Sequence, residues 1–103
     1  MRGKYFMAED EIKSLHEIIS KDIEDIRHKR VEEVDYTDKN ICPSNIRRIL
    51  EDCLHFEFLE NEDNGWEHDN WSYFKDPSTG DIFILFYCGE LFSLRLYLYE
   101  PED

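Results

Sequence analysis

A chain of 103 residues with 41% apolar and 15% aromatic side chains is long enough for one hydrophobic core and too short for two, so residues 1–103 read as a single domain. The formal charge is −13, from 25 Asp and Glu against 12 Lys and Arg, and a field of that sign repels phosphate backbones and anionic lipid, which argues against direct binding to nucleic acid or membrane. No stretch approaches the ~20 apolar residues of a membrane span, and Met1 to Asp10 lacks the apolar run of a secretory signal, so a cytoplasmic location is expected.

A short edge strand is expected in Lys4 to Met7. From Glu9 to Val34 the residues Ile12, Leu15, Ile19, Ile23 and Ile26 recur at three-and-four spacing, which predicts an amphipathic helix. Glu9, Asp10 and Glu11 open it and Arg27, His28, Lys29 and Arg30 close it, each set opposing the helix dipole. Asp35 to Asn40 reads as a loop. Pro43 suits the first position of a second helix, whose apolar face is Ile46, Ile49, Leu50, Cys53 and Leu54 and which should end near Leu54.

Beyond that helix the period changes to alternation, with Phe56 and Phe58 on one face and His55 and Glu57 on the other. A short strand is expected there, then an exposed loop over Asn61 to Asn70 and a strand from Trp71 to Lys75. Asp76 to Asp81, containing Pro77 and Gly80, is a turn signal. Ile82 to Cys88 is continuously apolar and predicts a central strand covered on both faces, with Phe86 in the core. Gly89 and Glu90 form a hairpin turn into a last strand in which Phe92, Leu94, Leu96 and Leu98 alternate with Ser93, Arg95, Tyr97 and Tyr99. The sum is an α+β fold: two N-terminal helices packed on a three- to four-stranded antiparallel sheet, a meander formed by the C-terminal half.

The charge is unevenly placed. Residues 1–48 hold eleven carboxylates against ten Lys and Arg, whereas residues 49–103 hold fourteen against only Lys75 and Arg95. Basic proteins are the natural partners of such a field, although acidity also serves solubility alone. Within the acidic half, the stretch from Glu60 to Trp71 sets Trp66 and Trp71 among Glu60, Glu62, Asp63, Glu67 and Asp69. Large rings supply desolvated anchoring area while carboxylates steer and clamp Arg and Lys, so these seven residues form the expected partner-binding site. The alternative is that the rings fold back onto the sheet, and for Trp71, which begins a strand, core burial is favoured.

No chemistry is indicated. The cysteines Cys42, Cys53 and Cys88 suit neither a disulfide framework nor a zinc site, and no glycine-rich phosphate loop or nucleophile motif is present. Glu67, His68 and Asp69 are consecutive, so their side chains diverge on a regular backbone. The expectation is a binding protein without catalytic residues, metal or other cofactor.

In size, acidity and α+β layout the chain resembles the small cytosolic immunity proteins that bacteria make against bacteriocins and contact-dependent growth inhibition toxins. The resemblance lies at the level of class and carries over no functional residue. It implies an inhibitor that neutralises a basic toxin domain, commonly a nuclease, whose positive cleft an acidic surface plugs. The rival reading is a phage-type nucleic-acid mimic whose carboxylates imitate phosphates to block a restriction or RNA-guided defence enzyme.

Overall fold

The computed structural model describes residues 9–39, 41–64, 69–89 and 93–101. The first helix, α1, spans Glu9–Arg27 and buries Leu15, Ile19, Ile23 and Ile26, the stripe set by the sequence period. It stops seven residues short of the expected Val34 because Lys29 turns left-handed at φ 60°, with the Arg30 amide donating to the Asp25 carbonyl at 2.8 Å. Freed from the helix, Glu33–Asp35 forms a short strand, β1, and Thr37–Lys39 makes a single tight turn.

The second helix begins at Pro43 and has two parts. Pro43–Arg48 is α-helical (α2), and Ile49–Cys53 is a widened π turn closed by the Leu54 amide on the Ile49 carbonyl at 2.9 Å. The widening brings Ile46, Ile49 and Leu50 into full burial. His55, at φ 59°, then reverses the chain instead of sharing a strand face with Glu57.

Four strands follow: β2 (Glu57–Asn64), β3 (Asp69–Lys75), β4 (Ile82–Cys88) and β5 (Ser93–Leu98). They form an antiparallel meander, and β1 adds to β5, giving the order β1-β5-β4-β3-β2. The sheet thus has five strands, not three or four, and one comes from the N-terminal half. The central position of β4 agrees with its apolar run. The expected Asn61 to Asn70 loop is strand at both ends, with Asn61 pairing Ser72 and Asn64 pairing Asp69. The expected strand at Lys4 to Met7, and Glu90 and Phe92, lie outside the described residues.

Both helices cover one face of the sheet. Phe74, Phe83, Leu85, Leu94 and Leu96 meet α1 and the second helix in the core, joined by Tyr36 and Phe56. The Tyr36 hydroxyl donates to Asp22 Oδ2 at 2.6 Å and ties β1 to α1. Arg27, at the end of α1, reaches Asp76 and, at 3.2 Å, Asp81, and so holds the helix against the β3–β4 turn. Burial works against ionisation of Asp76, but hydrogen bonds from the Ser78 hydroxyl and amide, with the Arg27 charge, outweigh it and hold the carboxyl below its usual range.

Candidate protein-binding site

Side chains alternate across a sheet, so every residue between the core positions points away from the helices. On β3, β4 and β5 these include Trp71, Tyr73 and Lys75, Ile84 and Phe86, and Arg95 and Tyr97, with Tyr99 just beyond the strand end. The register sets Trp71, Phe86 and Arg95 in one row across the sheet and Tyr73, Ile84 and Tyr97 in the next. The Trp71 and Phe86 rings lie 5.3 Å apart and the Tyr73 and Tyr99 rings 6.1 Å apart, both tilted arrangements that aromatic pairs favour. Ile84, at their centre, is only 6% exposed. Among the described residues no helix packs on this face, so its burial comes from its own rings.

The carboxylates arrive from the flanking strands β2 and β1 and, for Asp69, from the start of β3. On one side Glu60 stands opposite Tyr73, Glu62 opposite Trp71 and Asp69 opposite Cys88; on the other, Glu33 is opposite Tyr97. A β-bulge between Phe58 and Glu60 makes this possible. In an unbroken strand those two residues would share a face, and both glutamates would follow Phe58 toward the core. With Leu59 as the extra residue, Phe58 points inward while Glu60 and Glu62 point outward.

The local chemistry follows from these neighbours. Hydrogen bonding to Glu62 raises the Tyr73 phenol to about 12, with burial adding to it. Burial also raises Tyr97, opposed by the Trp71 indole and reinforced by Glu33. Arg95 lies 3.4 Å from Glu33 and is thereby partly neutralised. The outcome is a half-buried aromatic field edged by carboxylates.

Of the expected site, Glu60, Glu62, Asp69 and Trp71 therefore meet on one face, whereas Asp63 lies on the face of Asn61 and Asn70 and does not join them. Trp66, Glu67 and His68 lie outside the described residues. Trp71 is half-buried on the outer face, away from the helix-side core. Sequence reasoning missed Tyr73, Phe86 and Glu33 as members. Tyr73 was legible from its two-residue spacing to Trp71, but Phe86 sits in an unbroken apolar run with no alternation to read.

The helix side carries a polar cleft of about 340 Å³ beyond the end of the core. There Asn61 Nδ2 donates to Asn70 Oδ1 at 2.7 Å and to Ser72 Oγ at 2.8 Å, and Asn70 Nδ2 returns a bond to Asn61 Oδ1 at 3.1 Å. These groups satisfy one another. Among the described residues no three His, Cys, Asp or Glu side chains converge as metal ligands, and no helix is long and apolar enough to cross a membrane. No protein-family model, curated protein or solved structure matches the chain.

Proposed function

We propose that the protein is an inhibitor that binds a basic protein through the outer face of its sheet. The observation that supports this is the combination on one surface of the Trp71, Phe86, Tyr73 and Tyr97 rings with Glu60, Glu62, Asp69 and Glu33. Rings provide area that loses water on contact, and the carboxylates around them select Arg and Lys. The resemblance to immunity proteins gives the partner its class, a toxin domain whose nuclease cleft must be positive to hold phosphates. A nucleic-acid mimic would carry carboxylates without such an aromatic centre.

The test is to isolate the bound protein from source-cell lysate and measure its association with the parent chain and variants. A basic partner should associate about 10- to 1,000-fold faster at low than at high ionic strength. Trp71→Ala should speed dissociation, and Glu60→Gln with Glu62→Gln should slow association. An association rate flat with salt, or wild-type binding by both variants, would refute the reading. Losses spread thinly over many carboxylates, with Trp71→Ala silent, would favour the mimic.

A further inference from the structure

β1 is half as long as the strand it pairs with: Glu33–Asp35 covers Arg95–Tyr97 and nothing beyond. Past Glu33 the chain runs back through Glu32 and Val31 toward the end of α1, while beyond the end of β5 the Tyr99 amide donates to the Ile82 carbonyl at 2.8 Å. A groove of about 650 Å³ opens between them. That volume falls within the ~300–1,000 Å³ of clefts that hold ligands.

Among the described residues the exposed large apolar side chains are Ile18, Val31, Leu59 and Tyr99, and two of these, Val31 at 38% and Tyr99 at 40%, line this groove. Ile84 and Tyr97 line it too, so it is continuous with the aromatic face. Its polar lining is Glu32, Glu33 and Glu100 against Lys29; Lys29 is bonded to Glu100 and Arg95 lies 3.4 Å from Glu33, so the carboxylates outnumber the cations by one. Apolar walls under a net negative rim complement an apolar side chain carried between cations. An anionic molecule would be repelled by the net negative rim.

We propose that this groove is the anchor of the interface and receives an apolar side chain of the basic partner flanked in sequence by arginine or lysine. The inference rests on the outer face being the binding surface.

The test uses the full isotope-labelled chain, amide chemical shifts and three short peptides: leucine between two arginines, serine between two arginines, and leucine between two glutamates. Saturable shifts centred on Val31, Glu33 and Tyr99 are expected with the first peptide alone. Val31→Ser and Tyr99→Ser, at exposed positions, should weaken it by about tenfold, a hot-spot loss, while Trp71→Ala changes it less than about twofold. The groove is overturned if the serine peptide binds equally well, if shifts spread over acidic residues at large, or if no peptide saturates. Shifts confined to Trp71, Tyr73 and Phe86 would also overturn the groove while leaving the outer-face reading standing. That reading fails separately, if the Trp71, Glu60 and Glu62 variants associate with the isolated partner as the parent does.

Discussion

His55 is held at φ 59°, a left-handed conformation that costs an L-residue about 1–2 kcal/mol, and its side chain is exposed. His55→Gly should therefore stabilise the fold by about 1 kcal/mol in urea denaturation, after the entropy glycine adds to the unfolded chain. Asp76 carries the opposite lesson. Its ionised form is favoured in the fold, so its contribution is present above the unfolded carboxyl value of ~3.9 and is lost as pH falls through the lower folded value. Asp76→Asn should cost about 2–3 kcal/mol at neutral pH, as expected for hydrogen bonds to a charged group, and progressively less in acid. The tyrosines respond to base. Tyr36, buried and bonded to Asp22, and Tyr73 both resist ionisation. Stability from them is complete below the unfolded value of ~10 and declines as pH rises, for Tyr73 through about 12. A titration of tyrosinate absorbance should show the Tyr36 phenol ionising only as the protein unfolds, and Tyr36→Phe should remove part of that late absorbance.

Neighbouring residues of β4 separate its two faces. Phe83 is fully buried beneath the helices and stacks on Phe56 at 5.6 Å, whereas Phe86 is half-buried on the outer face. Phe83→Ala should cost about 3–5 kcal/mol and Phe86→Ala about 1–2 kcal/mol, measured by denaturant midpoints. The reversal of the expectation for Phe86 shows where the sequence was silent, since a run apolar at every position does not declare which side meets the helices. α1 was legible because its stripe was regular, and β5 because its alternation was. The end of α1 was not, since Arg27 to Arg30 suits a helix terminus and nothing marks Lys29 for the left-handed turn. The bulge hid β2 in the same way. Asn61 to Asn70 reads as a loop from its acids, asparagines and Gly65, and two-residue spacing from Phe58 would put Glu60 and Glu62 on the core face, a conflict that only the extra residue resolves. The candidate site was half legible for this reason: its acids were visible, but their face was set by a break in the pattern.

At the scale of the molecule, the aromatic face and the groove belong to one surface whose rim is carboxylate, while the arginines Arg27, Arg30, Arg47 and Arg48 are engaged near their own carboxylates on the helical side. Under the proposed function, a partner would meet the negative side of a molecule whose positive groups are partly spent. The order of the strands also sets a clock on biosynthesis. Val34 pairs with Leu96, and the Tyr36 amide with the Leu94 carbonyl at 2.7 Å, so β1 has no neighbour in the sheet until about 60 further residues have been made. At ~5–20 residues per second that is a wait of about 3–12 s, during which the apolar stripe of α1 has no sheet to cover it. The fold of the nascent chain should therefore close only after β5 has emerged.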